Sequence, residues 1–180
     1  MRVITGKYKG KHFEGPRNVT ARPTTDFAKE NLFNVLRGYV DFEQTRVLDL
    51  FAGTGSISLE FLSRGCPEVV CGERDRQHFA FLSKMFRSLD DAAITPMCGD
   101  ALRFIDKATR SFDLVFADPP YALKEIPELP NRVMNSALLA TDGLFVLENG
   151  RDCDFSYHPN FIEHRAYGSV NFSFFQRKDD

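Results

Sequence analysis

Tryptophan is absent from the 180-residue chain, and its four cysteines form no Cys-x-x-Cys pair. Because zinc fingers and dithiol redox sites need such spacing, we expect reduced, mostly buried thiols and no bound metal. No apolar run approaches the roughly 18 residues of a membrane helix, and the first residues lack the apolar stretch of a secretory signal. We therefore expect a cytoplasmic protein that makes no contact with membranes.

A large excess of charge is also missing, since the net charge is only −2 at pH 7. The charge is uneven, however: residues 1–22 hold six Lys or Arg and one Glu, while the remainder is acidic. This pattern predicts a basic hairpin arm of the kind that binds nucleic-acid phosphates. A strand here would place Lys7, Lys9 and Lys11 on one face. The alternative is a solvated surface hairpin.

Strand-like and helical segments alternate from Arg46 onward, which is typical of a doubly wound, mostly parallel α/β sheet. Helical segments include DRQHFAFLSKMFRSL and NRVMNSALLA, and GLFVLEN is a predicted fifth strand. The ending FIEHRAYGSVNFSFFQR predicts an antiparallel hairpin that turns at Gly168. The length indicates a single globular domain, which we divide into the arm (1–22) and a main domain (23–180).

A helix precedes this alternation, and Pro23 with the neighbouring threonines supplies its start signal. Apolar residues then recur at helical spacing, so one face of the helix is expected to pack inward. The residues of this face are Ala28, Leu32, Val35, Leu36 and Tyr39.

The segment DLFAGTGS joins the first parallel strand to its helix. Gly53 and Gly55 allow a ligand to approach the backbone, and Asp49 and Phe51 flank them. A dinucleotide fingerprint would place a third glycine at Ser58 to seat a pyrophosphate. Its absence favours a nucleoside ligand without phosphates, such as S-adenosylmethionine. A glycine turn used only to pack strand against helix is the alternative.

The next two predicted strands also end in acids. Glu73 lies 18 residues after Gly55, near the position at which an acid binds ribose hydroxyls in nucleotide folds. Asp100, followed by Ala101, is placed to accept from an adenine amino group. Each acid alone is explained equally well as a helix cap, as is Asp75. Three acids that end successive strands predict one adenosine site.

The segment FDLVFADPPYALK interrupts a predicted buried strand with Asp118, Pro119, Pro120 and Tyr121. Proline cannot donate to a sheet, so the strand must end by Asp118, at the edge where open α/β sheets bind ligands. The Asp118 carboxylate and the Pro119 carbonyl can accept both N–H bonds of a base amine, and Tyr121 can stack on an extruded base. This combination predicts methyl transfer to an exocyclic amine by positioning alone.

Several motifs carry a family resemblance. DPPY resembles motif IV of the amino-directed methyltransferases, and DLFAGTG resembles their motif I. RPTTDFAKENLFNVL is similar to the segment RPTTDxxRExxFNxL of the bacterial small-subunit rRNA guanine-N2 methyltransferases. The opening RVITGKYKGKHF and the closing YGSVNFSFF also resemble that family, so the similarity spans nearly the whole chain.

The resemblance implies a class I methyltransferase fold with a seven-stranded sheet, S-adenosylmethionine as the donor and a guanine of 16S rRNA as the target. The substrate is free rRNA or the small-subunit particle, and the enzyme is expected to be a monomer. Thr25 and Glu30 are implied at the cofactor, and Arg22 and Thr24 at the RNA. The chain departs from the family pattern at two positions, Lys29 and Phe27.

Three other functions remain open from the sequence. The geometry at DPPY also suits an adenine-N6 methyltransferase, which the RPTT segment disfavours. A non-catalytic RNA-binding module would not need intact AGTG and DPPY segments. A nicotinamide oxidoreductase is disfavoured by the missing third glycine.

Overall fold

The structure is a computed structural model that describes residues 1–15 and 24–178. Within these residues the strands are β1 (Arg46–Asp49), β2 (Glu68–Glu73), β3 (Ile94–Cys98), β4 (Phe112–Ala117), β5 (Leu139–Asn149), β6 (Phe161–Tyr167) and β7 (Val170–Gln176). They form one seven-stranded sheet in the order β3-β2-β1-β4-β5-β7-β6. β1 to β5 run parallel, and β7 pairs antiparallel with both β5 and β6. The predicted fold class and the C-terminal hairpin are confirmed.

Helices cover both faces of the sheet. They are α1 (Asp26–Leu36), α2 (Ser56–Ser63), α3 (Arg76–Leu89), α4 (Ala101–Asp106) and α5 (Leu129–Met134). Residues of α1, α2 and α3 share one buried cluster with alternate strand residues such as Val47 and Phe116. Residues of α4 and α5 share a second cluster with the intervening strand residues, such as Leu48 and Val115. Two helical layers therefore enclose strands that are apolar on both faces.

The first helix differs from its predicted face. Thr25 caps α1 by accepting from the Ala28 amide at 3.1 Å, and the helix ends at Leu36. Tyr39 therefore lies beyond the helix, where its ring stacks on Phe174. The residues that α1 buries are Ala28, Lys29, Leu32, Phe33 and Leu36. The prediction was wrong for Tyr39 because the helix stops before the next turn of the apolar pattern.

The predicted helix NRVMNSALLA was too long. The helix α5 ends at Met134, and β5 already begins at Leu139. The amide of Phe112 donates to the Leu138 carbonyl at 2.8 Å, and Leu139 pairs with Phe112 across the sheet. Pairing with β4 therefore takes this part of the chain into the sheet, an interaction that local periodicity does not reveal.

Residues 1–15 reverse direction with hairpin-like hydrogen bonds but contain only an isolated bridge between Arg2 and His12. The segment follows α2: the Ile4 amide donates to Glu60 at 2.8 Å, and the Lys7 amide donates to the Ser63 carbonyl at 2.8 Å. Its apolar side chain Val3 is buried in the cluster beneath α1 and α2. The predicted hairpin is present without regular strands: the Val3 amide donates to the Lys11 carbonyl and the Phe13 amide to the Met1 carbonyl, both at 3.1 Å, and α2 supplies further acceptors.

The burial of the thiols and the character of the helices can be compared with what the composition predicted. Cys66 and Cys71 are buried, Cys153 is half-buried and Cys98 is exposed, and all four are free. Burial raises the pKa of the Cys66 thiol to about 12. In the described part of the chain, no helix has the length and apolar character needed to cross a membrane.

Candidate active site

Three carboxylates lie in a row across the middle of the sheet at its carboxyl edge. Asp49 ends β1, Asp118 follows β4 and Glu148 lies near the end of β5. β1 and β4 pair through Asp49 and Phe116, and β4 and β5 pair through Ala117 and Leu147. Because side chains alternate along a strand, all three carboxylates point toward the α1–α3 side of the sheet.

Asp49 is the most deeply buried of the three, with 1% of its surface exposed. The Ser58 hydroxyl donates to its Oδ2 atom at 2.7 Å. Its Oδ1 atom has no hydrogen-bond partner among the described residues. Burial raises the pKa of Asp49 to about 7, and the Ser58 hydrogen bond opposes this shift. This buried oxygen is therefore an acceptor that a donor group of a ligand could use.

The turn between β1 and α2 depends on its two glycines. Gly53 and Gly55 adopt φ values of 55° and 82°, which are left-handed. A Cβ atom at Gly55 would lie 2.6 Å from the Leu82 side chain, whereas a Cβ atom at Gly53 would meet nothing within 4 Å. Gly55 therefore serves the packing of α2 against α3, and Gly53 leaves an open space beside the turn. The packing interpretation of the glycine motif is correct for Gly55, and the approach of a ligand at Gly53 stays a prediction.

Glu73, at the end of β2, binds the same turn. Its Oε2 atom accepts from the Gly53 amide at 2.9 Å, and its Oε1 atom accepts from the Asp75 amide at 2.9 Å. Each oxygen keeps a second lone pair for a ligand hydroxyl. Phe51 is half-buried and packs against the α4–α5 cluster.

Asp100 caps α4, since its Oδ1 atom accepts from the Leu102 amide at 2.8 Å and from the Arg103 amide at 3.3 Å. Its Oδ2 atom lies 3.8 Å from the exposed guanidinium of Arg74, and Ala101 is buried behind it. Asp75 likewise caps α3. The capping interpretation is thus correct for both aspartates, and one oxygen of Asp100 remains directed elsewhere.

The Asp-Pro-Pro-Tyr segment begins where β4 ends, as predicted. Asp118 is half-buried, Pro119 is buried, and Pro120 is exposed. Pro120 closes a turn by accepting from the Leu123 amide at 2.9 Å. The Tyr121 ring is 73% exposed and lies beside Gly150, just beyond the end of β5. The Asp118 carboxyl, the Pro119 carbonyl and the exposed Tyr121 ring therefore lie near one another at the sheet edge.

Glu148 was missed from the sequence, although it closes the apolar run GLFVLEN much as Asp118 closes FDLVFAD. Thr24 donates to its Oε2 atom at 3.3 Å, and its carboxyl group hydrogen-bonds to that of Asp118. Burial and the charge of Glu148 hold the pKa of Asp118 well above its usual range. Burial also raises the pKa of Glu148, against the hydrogen bonds from Thr24 and Asp118.

The other residues implied near the site are spread out. Thr25 is exposed and caps α1, and Glu30 is exposed on the same helix. Arg22 lies outside the described residues. Thr24, from the RPTT segment, contacts the strand-end carboxylates through its hydroxyl, which donates to Glu148.

The three lysines do not align on a strand face, because residues 5–10 form turns. Lys7 pairs with Asp91 just before β3, and Lys7 and Lys11 both lie 5.2 Å from the centre of the Tyr8 ring. Asp91 marks the amino edge of the sheet, whereas the carboxylates lie at its carboxyl edge. The lysine turn and the strand-end carboxylates are therefore about the length of α2 apart, roughly 10 Å or more.

Lys29, one of the two departures from the family pattern, is buried beside the first turn of α2. Only 1% of its surface is exposed. Its Nζ atom donates to the Ser56 hydroxyl at 3.0 Å and to the Arg2 carbonyl at 2.5 Å, and it lies 3.8 Å from Glu60. Burial lowers its pKa despite the charge of Glu60. Lys29 therefore joins the N-terminal segment to the first turn of α2.

The polar groups at the carboxyl edge of the sheet indicate which kind of ligand would fit there. They are carboxylates and carbonyls, with a free oxygen on Asp49 and open space at Gly53. Such acceptors suit hydroxyl, amine or cationic groups and repel a pyrophosphate. The edge therefore fits an adenosine with a positively charged substituent, such as S-adenosylmethionine, better than a dinucleotide.

Comparison with known proteins agrees with this fit. A family model described as conserved hypothetical protein 95 matches residues 1–176. The putative rRNA methyltransferase YlbH of Bacillus subtilis is 32% identical over 158 residues, which cover 86% of this chain and 85% of that protein. Ribosomal RNA small subunit methyltransferase D of Escherichia coli K12 is 29% identical over 181 residues, which cover 99% and 90% of the two chains.

Solved structures show the same architecture. The putative methyltransferase yhhF of Escherichia coli has a TM-score of 0.87 at 27% identity, covering 100% of this chain and 99% of that one. The 16S rRNA N2 G1207 methyltransferase of Thermus thermophilus, solved with AdoMet and guanosine, has a TM-score of 0.77 at 20% identity. It covers 99% of this chain and 49% of that one, and supports the fold alone. The chain therefore belongs to the family described as conserved hypothetical protein 95, together with its ribosomal RNA methyltransferase relatives from Bacillus subtilis and Escherichia coli, and the resemblance inferred from its motifs is confirmed.

Proposed function

We propose that this protein transfers a methyl group from S-adenosylmethionine to the N2 amine of a guanine in 16S rRNA. The observation that carries the proposal is the juxtaposition of Asp118 and Pro119, after β4, with Asp49 and the glycine turn, after β1. An acceptor pair for an amine thus lies on the strand next to a site that suits a cationic nucleoside. The names and coverage of the relatives support the RNA substrate.

The cofactor would lie across the ends of β1, β2 and β3. Glu73 would accept from the ribose hydroxyls, Asp100 from the adenine amine, and the free oxygen of Asp49 from a donor on the ligand. When bound, S-adenosylmethionine supplies an electrophilic methyl group on a sulfonium. The other residues assigned to this side of the site are Phe51, Gly53, Gly55, Ala101, Thr25 and Glu30.

The target amine would be held by the Asp-Pro-Pro-Tyr segment. An exocyclic amine is a poor nucleophile because its lone pair is delocalised into the ring. Acceptance of its two N–H bonds by Asp118 and the Pro119 carbonyl favours a tetrahedral nitrogen, and Pro120 restricts the backbone that positions this carbonyl. Tyr121 would stack on the extruded base. These groups orient the nitrogen about 3 Å from the methyl carbon, so catalysis is mainly positioning.

The RNA backbone would be bound by the basic arm and the segment that follows it. Lys9 and Lys11 are exposed, and Lys7 keeps half of its side chain exposed despite its pair with Asp91. Arg22 and Thr24 would contact RNA nearer the target base. We assign residues 1–22 to RNA binding and residues 23–180 to methyl transfer by a monomer acting on 16S rRNA or on the small-subunit particle.

A deletion strain tests the function directly. Nucleoside mass spectrometry of its rRNA should show the loss of one N2-methylguanine, which the wild-type gene restores and Asp118→Ala does not. In vitro, Asp118→Ala should lower methyl transfer by about 100-fold or more, as removal of one positioned polar group does in other enzymes. Asp152→Ala, in an exposed loop, is the control with full activity. Loss of an N6-methyladenine instead would show that the target amine is wrong.

A further inference from the structure

We propose that Glu148 is a base-recognition residue that accepts the N1–H of the target guanine and thereby selects guanine over adenine. This inference rests on the proposed function, since it concerns the base that occupies the same site. It adds a third acceptor to the two at Asp118 and Pro119.

The position of Glu148 supports this role. Leu147 pairs with Ala117, so Glu148 on β5 lies directly beside Asp118 beyond β4. Its carboxyl group contacts Asp118 on one side and the Thr24 hydroxyl on the other. Only 9% of its surface is exposed, which is a costly place for a carboxylate without a cationic partner. No Lys, Arg or His within the described residues forms an ion pair with it.

The chemistry of the bases explains why such an arrangement is useful. Guanine presents N1–H and both N2 hydrogens along one edge, three donors in all. Asp118 and the Pro119 carbonyl account for the two on N2, and Glu148 is the neighbouring acceptor for N1–H. Adenine presents a lone pair at N1, which an adjacent carboxylate repels. A site built to pair with a donor rejects the analogue that lacks it.

The buried carboxyl groups of Asp118 and Glu148 also interact unfavourably when both are charged and no base is bound. Burial and the charge of Glu148 raise the pKa of Asp118, and burial raises the pKa of Glu148 although its hydrogen bonds with Thr24 and Asp118 oppose that shift. Guanine brings a donor for each of the two carboxyl groups, which offsets the cost of burying them. Adenine brings donors for Asp118 alone and leaves Glu148 facing a lone pair.

The test uses 2-aminopurine, which keeps the reacting amine and lacks N1–H and O6; because every variant meets the same loss of O6, the change of the ratio between variants reports on N1–H. Small-subunit RNA is prepared with guanine or 2-aminopurine at the mapped target position, and kcat/KM is measured for each. The wild type should favour guanine by about 10- to 100-fold, the range expected for a lost hydrogen bond to a charged group. Glu148→Gln should narrow this ratio about tenfold, because an amide can donate to a bare N1. Glu148→Asp, which keeps the carboxylate, should retain most of the preference.

Matched variants separate recognition from structure. Glu68→Gln, at the amino end of β2, changes a carboxylate that pairs with Arg110 and should leave the ratio unaltered. If Glu148→Gln does not fold, Thr24→Val provides the second test, since loss of the hydroxyl bond to Glu148 should also narrow the ratio. A guanine preference that survives Glu148→Gln unchanged overturns this inference. Failure of the wild type to methylate guanine at all would instead overturn the proposed function.

Discussion

At the scale of single residues, the candidate site concentrates carboxylates where few donors of the chain reach them. Among the described residues one oxygen of Asp49 has no hydrogen-bond partner, and the carboxyl groups of Asp118 and Glu148 hydrogen-bond to each other. Such groups weaken the folded state at neutral pH, because burial disfavours their charged forms. Their presence at one edge of the sheet indicates a binding function, since packing alone would favour apolar residues there.

Asp49→Asn is predicted to stabilise the ligand-free protein while weakening cofactor binding. A carboxyl whose pKa is raised to about 7 on folding lowers stability as pH rises from about 4 to 7. The free energy of unfolding of Asp49→Asn should therefore exceed that of the wild type only slightly near pH 4 and by up to about 4 kcal/mol at pH 8, because each pKa unit is worth about 1.4 kcal/mol. Urea unfolding across this pH range measures it.

Asp113→Asn is the control for that prediction. Burial of Asp113 is outweighed by hydrogen bonds from Arg46, so its pKa is lowered. The sign is opposite: its carboxylate contributes stability at neutral pH that is lost in acid, and the variant should be less stable at pH 8. Equal effects from both variants would contradict our account of Asp49.

Glu73→Ala is predicted to weaken binding of S-adenosylhomocysteine by about 1–3 kcal/mol, because the ribose hydroxyls lose a charged acceptor. Calorimetry measures the change. Asp75→Ala, two residues away, removes the cap of α3 and should cost about 1 kcal/mol of stability without altering affinity. Unchanged affinity in Glu73→Ala would mean that Glu73 only holds the Gly53 turn.

At the scale of elements, Glu60 of α2 is the point where three segments meet. It accepts from the amides of Ile4 and Thr5 and pairs with Arg64 and Lys29. It is fully buried, and so is Lys29 of α1. The departure from the family pattern at Lys29 therefore keeps a buried cation, which is tied to Ser56, Glu60 and the N-terminal segment.

Glu60→Ala is predicted to destabilise the protein by about 3–5 kcal/mol, since it leaves the Lys29 ammonium buried without its carboxylate. It should also release residues 1–15 to proteolysis, because two of their amides lose an acceptor. Thermal unfolding and limited trypsin digestion measure both effects. Glu128→Ala, at an exposed position, should change neither. Rapid cleavage of the wild-type arm would show that Glu60 does not anchor it.

At the scale of the whole molecule, the basic arm and the carboxyl edge occupy different parts of the surface. The lysine turn lies near the amino end of β3, beyond the far end of α2 from the glycine turn. An RNA that reaches both must extend along this side of the protein. The division at residue 22 remains a prediction, but Val3 in the main core shows that the arm packs as part of the fold.

Lys9→Gln with Lys11→Gln is predicted to flatten the salt dependence of RNA binding. On single strands each phosphate contact adds about 0.7 to the slope of log binding constant against log salt concentration, so the loss of two contacts should reduce this slope by about 1.4. Cofactor affinity should not change. The matched pair Lys84→Gln with Lys107→Gln, on α3 and after α4, should leave the slope as it was. Filter binding across a salt series measures both, and an unaltered slope for the first pair would mean a solvated turn.

Much of the fold was readable from the sequence, because parallel strands buried on both faces are continuous apolar runs ended by glycine, proline or acid. The end of β4 at Asp118, the α2 turn at Gly53 and Gly55, and the hairpin at Gly168 are all of this kind. The end of α5 and the start of β5 could not be predicted from the sequence, because the pairing of Leu139 with Phe112 joins residues that are distant in the chain.

The sequence by itself determined which strand ends carry acids, because strand length and breakers are local properties. The tertiary structure alone decided which acids meet: strand order places β1 beside β4 and β4 beside β5, so Asp49, Asp118 and Glu148 form one row. It also decided the conformation of the segment with Lys7 and Lys11. Local alternation predicted a strand there, whereas contacts with Asp91 and Tyr8 hold the segment in a turn. Residues that are far apart in the sequence leave no local pattern when they come into contact. Such contacts bury the carboxylates, and burial shifts their pKa values.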